Sequence, residues 1–151
     1  MFKNSKFMEI AIQEAKKITN NQNVNEEEVP IIAIIVKNDQ IIALKNNQNI
    51  GNCDATAHAE ILAIREACQK LNSKFLEDCE IYITLEPCPM CYGAISLARI
   101  KKIFFAAYDS KKEQKKIFNH NFKPEIYGGI MEEEGGAILK NFFEKRRKIF
   151  L

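Results

Sequence analysis

The sequence predicts an α/β protein of three layers, α-β-α, with helices covering both faces of a central mixed five-stranded sheet. Two observations predict it. After an opening hairpin, short runs rich in β-formers alternate with longer stretches of helical periodicity. The apolar fraction, 46% of 151 residues, is enough for one core of ordinary domain size. No linker, repeat or low-complexity segment divides the chain, so residues 1–151 read as a single domain.

The elements follow in order. Lys6 to Thr19 sets Phe7, Ile10, Ala11 and Ile18 at helical spacing. A polar loop, Asn20 to Glu28, leads to Pro30, which opens a strand from Ile31 to Val36. Asn38-Asp39-Gln40 is turn chemistry, and Ile41 to Leu44 returns as the second strand of a hairpin. Asn46 to Ala55 is a loop. Thr56 suits the N-cap of a helix reaching about Leu71, with Ile61, Ile64, Cys68 and Leu71 on one face. Glu80 to Leu85 is a third strand. Glu86-Pro87-Cys88-Pro89 ends it, and Pro89 fits the first turn of a helix reaching about Arg99. Ile103 to Ala107 is a fourth strand. Tyr108 to Lys123 is polar and without a period, and Pro124 to Tyr127 is a short fifth strand. The last helix spans about Glu132 to Lys148, its acidic start and basic end complementing the helix dipole. Helical crossovers between the later strands make that part of the sheet parallel.

Lys plus Arg number 22 against 20 Asp plus Glu, a net charge of +2. That balance neither demands nor excludes a nucleic-acid partner; clustering decides. Lys101-Lys102, Lys111-Lys112 with Lys115-Lys116, and Lys145 to Lys148 are basic runs. Such runs are usually solvated faces. The last, however, ends a helix beside Phe142, Phe143 and Phe150, a mixture of cation and aromatic that an RNA footprint uses. Charges interrupt the first residues too early for a signal peptide. The longest apolar run, Ile31 to Val36, is far too short to span a bilayer. A cytoplasmic protein without a membrane partner is expected. Five cysteines, an odd number, favour metal or core roles over disulfides.

Two motifs carry chemistry. His58-Ala59-Glu60 and Pro87-Cys88-Pro89-Met90-Cys91 each stand at a helix start, and the strand before each helix brings both starts to one edge of the sheet. Free backbone N–H groups and the helix dipole favour thiolates at a Cys-x-x-Cys helix start. His58, Cys88 and Cys91 supply three zinc ligands, which leaves the fourth tetrahedral position to water, as in a catalytic site. Zinc lowers the pKa of such a water towards about 7. Glu60 is about 200° from His58 on a regular helix, so it reads as a proton shuttle rather than a ligand. A closed structural site would need a fourth protein ligand, for which Cys53 is the nearest candidate. His-x-Glu followed by Pro-Cys-x-x-Cys is the established signature of zinc-dependent base deaminases.

At these residues the chain resembles the bacterial tRNA-specific adenosine deaminases, within the cytidine deaminase-like superfamily. The resemblance extends through Glu28-Val29-Pro30, Asp54 to Ile61, Thr84 to Cys91 with Gly93-Ala94, and Phe142 to Arg147. It implies adenosine-to-inosine conversion at wobble position 34 of a tRNA anticodon, by attack of zinc-activated hydroxide on adenine C6. It also implies one zinc ion per subunit, a homodimer, and an anticodon stem-loop bound across the dimer. By position, Asn47 resembles the asparagine that contacts the flipped base, and Asp109 an aspartate near the substrate backbone. Arg146 and Arg147 match a basic pair that serves tRNA binding. The chain departs from the pattern at Ile32, where glycine is usual, at Ala55, where proline is common, and at Ser110-Lys111-Lys112-Glu113 after Asp109.

Plainer readings stand beside these. Asn47 lies among other asparagines and by composition alone is a turn residue. Asp109 is equally a turn or cap residue, His120 a loop residue, and Cys68 and Cys79 small apolar side chains. Two other function classes remain open. One is a deaminase of a free base or nucleotide (guanine, cytosine or deoxycytidylate). The other is a binding module with a structural zinc, which would have no use for Glu60.

Overall fold

The computed structural model describes residues 3–21, 28–110 and 120–149. The predicted order of elements is observed: α1 (Lys3–Asn20), β1 (Ile32–Lys37), β2 (Gln40–Asn46), α2 (Ala59–Leu71), β3 (Cys79–Leu85), α3 (Pro89–Leu97), β4 (Lys102–Ala107), β5 (Glu125–Tyr127) and α4 (Glu132–Ile149). The five strands form one mixed sheet in the order β2-β1-β3-β4-β5. β1 is antiparallel to both β2 and β3, while β3, β4 and β5 run parallel. β2 therefore points the same way as β3, β4 and β5. All four end at one edge of the sheet, and the chemistry-bearing segments follow three of those ends.

Period-2 side-chain alternation divides the core into two layers. Ala33, Ile35, Ile81, Ile83, Ile103 and Phe105 face one way and pack with the alanines of α2 and with Ile95 of α3. Ile32, Ile34, Val36, Tyr82, Phe104 and Ala106 face the other way, against α1 and Ile138 of α4. Paired positions on β3, β4 and β5 stack their rings: Tyr82 on Phe104 at 4.7 Å between centroids, and Phe104 on Tyr127 at 5.1 Å. The β1–β2 hairpin turns through Asn38 and Asp39, both at positive φ (49° and 62°). This is the double left-handed conformation that Asn and Asp tolerate best among residues with side chains.

Two helix faces differ from the sequence expectation. On α2 the buried residues are Ala59, Glu60, Ala63 and Ala67, while Ile64, Cys68 and Leu71 are half-buried flanks. The helix lies so close to the sheet that only small side chains fit beneath it. On α1 the inward face is Phe7, Met8, Ala11, Ile12 and Ala15, with Ile10 and Ile18 at its margin.

Close approach also explains Gly135 in α4. A Cβ there would lie 2.8 Å from the Ala106 Cβ and 3.3 Å from the Thr84 carbonyl oxygen, whereas one at Gly136 would meet nothing within 4 Å. Gly135→Val is expected to lower the unfolding free energy by about 1–3 kcal/mol through overpacking. Gly136→Ala should raise it by about 0.5–1 kcal/mol through helix propensity. Urea denaturation of the two variants checks the opposite signs.

Candidate metal and catalytic centre

The two motifs meet at the common strand edge, at the N-termini of α2 and α3. His58 is the N-cap of α2, with extended backbone (φ −71°, ψ 151°), and Cys88 is the N-cap of α3 (φ −68°, ψ 167°), followed by Pro89 in its first turn. Thr56 is not the cap that its residue type suggested. Its N–H and hydroxyl both donate to the Asp54 carboxylate, at 2.8 and 2.7 Å, so it closes a turn two residues before the N-cap.

The Cys88 and Cys91 sulfurs lie 3.6 and 3.4 Å from His58 Nδ1. The three donor atoms lie within 4.8 Å of one another, and no other such group occurs among the described residues. The spacing fits a tetrahedral ion: bonds of about 2.0 Å to nitrogen and 2.3 Å to sulfur end about 3.6 Å apart. Cys53 is exposed and outside the group, so it does not close the site as a fourth ligand.

The two thiols differ in acidity. The Cys88 pKa is lowered to about 5, chiefly by the neighbouring Cys91 side chain, with the Cys91 N–H and His58 adding to it against burial. Cys91 is pushed far up by Cys88, then by burial and by Glu60. Both helix dipoles aim their positive ends at this spot.

Glu60 is only 4% exposed, and its Oε2 accepts from the Cys91 thiol at 3.2 Å. Burial is the main cause that raises its pKa above the usual carboxylate range. The separation of His58 and Glu60 expected for a regular helix does not hold. His58 lies outside the helix on extended backbone, so both side chains reach the Cys91 sulfur. Glu60 nonetheless stays outside the three-donor group.

The expected substrate residues are spread more widely. Asn47 is buried, and its Oδ1 accepts from the Ala59 N–H at 2.8 Å, which ties it to the first turn of α2. Asp109 follows β4 at the same edge, its N–H donating to Glu86 Oε2 at 3.0 Å. Arg146 lies over the Phe142 ring at 5.3 Å, and Arg147 is exposed. His120 and Cys68 take no part in the cluster, and Cys79 is buried in the core. Ile32, where glycine is usual in the family, is buried between the sheet and α1, away from the cluster. Lys111, Lys112, Glu113, Lys115, Lys116 and Phe150 lie outside the described residues.

Three side chains that tie down neighbouring segments escaped sequence reasoning. Glu28 is buried and accepts from the N–H groups of Ile50 and Gly51. Glu86 holds the segment after β4, and Thr84 accepts from the Ile32 N–H across the sheet. Nothing in the sequence around Glu28 signals that its carboxylate turns inward.

Comparison with known proteins is consistent with this geometry. The MafB19-like deaminase family matches residues 4–147. The tRNA-specific adenosine deaminase of Aquifex aeolicus (strain VF5) is 43% identical over 150 residues, covering 93% of this chain and 94% of that protein. A solved structure from studies of A-to-I editing by tRNA:A34 deaminases at the wobble position of transfer RNA superposes with a TM-score of 0.77. It is 37% identical and covers 89% of this chain and 99% of the other. The guanine deaminase of Bacillus subtilis is also similar, with a TM-score of 0.64 and 39% identity over 74% of this chain and 69% of its own. On likeness that runs over almost its whole length, the chain belongs to the tRNA-specific adenosine deaminases within the MafB19-like deaminase family.

Proposed function

We propose that this chain, as a single catalytic domain, hydrolyses adenosine to inosine at the wobble position of a tRNA anticodon. The observation that carries the reading is the buried Glu60 carboxylate beside a three-donor cluster at the mouth of the sheet. His58, Cys88 and Cys91 would hold zinc, whose preference for nitrogen and thiolate donors they satisfy. When bound, the ion supplies a Lewis acid that makes a water nucleophilic at neutral pH.

The protein's own part is proton transfer and orientation. Glu60 takes a proton from the attacking water and places it on the purine ring nitrogen as the C6–O bond forms. It then carries the second proton to the amino group, so that the C6–N bond breaks and ammonia leaves. A carboxyl with a raised pKa suits both directions of transfer. Asn47 and Asp109, on segments that leave β2 and β4 at the same edge, would meet the flipped nucleotide. An anticodon loop presents its bases already splayed, which lowers the cost of extraction.

Arg146 and Arg147, on the basic end of α4, would contact phosphates in a cytoplasmic homodimer that receives the stem-loop. No helix among the described residues is long and apolar enough to cross a membrane. Replacing both arginines with alanine is expected to weaken stem-loop binding about tenfold whatever the loop sequence. It should also reduce the slope of log affinity against log salt by about one per lost contact. Filter binding at several salt concentrations measures both.

Likeness to the guanine deaminase supports a second reading, deamination of a free base. Incubation of the zinc-loaded protein with an anticodon stem-loop carrying A34, and separately with free guanine and cytosine, decides between them. Inosine in the stem-loop is expected. Turnover of a free base without inosine would overturn the tRNA reading.

A further inference from the structure

We infer that Glu28 is a positioning residue, resting on the reading above: its buried carboxylate clamps the loop that carries Asn47 into the site. The loop between β2 and α2 is largely tied to itself. Gln48 N–H donates to the Ala57 carbonyl, Asn52 N–H to Gln48, and Asp54 N–H to Asn49. At its base, Asn47 N–H donates to the Ile31 carbonyl and Asn47 Oδ1 accepts from Ala59 N–H. At its outer turn Cys53 N–H donates to the Ile50 carbonyl, and the Ile50 and Gly51 N–H groups turn away from the loop. There Glu28 Oε1 accepts from Ile50 N–H at 2.7 Å and Gly51 N–H at 2.8 Å, across 22 and 23 residues of sequence.

The short distances mark charge-assisted bonds. Glu28 is only 7% exposed, whereas Ile50 and Gly51 are exposed. The clamp therefore reaches from inside the protein to a turn whose outer surface is free to meet substrate. The same loop continues through Asp54 and Thr56 into His58, so its course bears on the approach to the cluster as well as on Asn47. The carboxylate itself does not belong to the metal group. Its action is on the geometry of the loop rather than on the reacting atoms.

Two variants and two readouts test this. In Glu28→Ala the Ile50 and Gly51 amides should exchange with deuterium at least tenfold faster, while amides in the middle of α2 keep their protection. For the stem-loop, kcat/KM should fall about tenfold or more, carried mainly by KM, with metal content unchanged. Glu28→Gln keeps an oxygen that accepts both N–H groups and should recover to within about threefold of the parent. Unchanged exchange at Ile50 and Gly51 would overturn the clamp. So would a glutamine variant as impaired as alanine, or protection lost throughout α2, which would mark a general support of the fold. A parent protein that makes no inosine would instead overturn the proposed function, and the exchange experiment would still decide the clamp.

Discussion

Glu60→Gln is expected to retain the metal and lose about 10²–10⁴-fold or more in turnover of an A34 stem-loop, the range typical of a lost general acid–base. The amide keeps the volume of the buried side chain, so α2 should pack as before, and it can still hydrogen-bond near Cys91. What it cannot do is accept a proton and release it again. Each deamination needs two such transfers, one onto the ring nitrogen and one onto the leaving amine. Metal per chain by emission spectrometry, with single-turnover inosine formation, separates a proton-transfer role from a ligand role. A variant that binds metal and turns over within tenfold of the parent would refute the assignment. Glu60→Ala should behave alike, since loss of titration rather than loss of shape is the cause.

Cys91→Ser should lose both the metal and all measurable turnover, and Cys88→Ser should do the same. A serine hydroxyl does not ionise near neutral pH, so the start of α3 would no longer present the second thiolate that the cluster requires. Chelation of the parent protein should abolish turnover reversibly, with recovery on adding zinc, whereas the serine variants should not recover. Cys53→Ser is the control. Its exposed side chain lies outside the donor group, so metal content and activity should match the parent. Loss of metal from the Cys53 variant would show a closed four-ligand centre and remove the open position that the proposed chemistry needs.

Much of this was legible in the residues. Each element of the order was marked by a local device: Asn38-Asp39 for the hairpin, Pro89 for the start of α3, the acid-to-base gradient for α4. The candidate metal donors were legible because histidine and paired cysteines at this spacing have few other uses. The inward faces of α1 and α2 were less so. Periodicity favours the bulkiest residues as the buried face, whereas a helix pressed onto a sheet buries alanines and leaves larger side chains at its margins. Thr56 has the chemistry of a cap, yet the nearby Asp54 carboxylate takes its hydrogen bonds and leaves the cap position to His58.

The sequence by itself pointed to His58, Cys88 and Cys91 as candidate donors, to Glu60 as a proton shuttle and to the layered α/β architecture, because these depend on residue type and short spacing. Only the tertiary structure decided that Glu60 and His58 both reach the Cys91 sulfur and that Asn47 caps the first turn of α2. It alone decided that Glu28 and Glu86 hold the segments leading into and around the site. Those contacts join residues that strand direction and register bring to one edge of the sheet. A hydrogen bond across more than twenty residues leaves no local pattern in either partner.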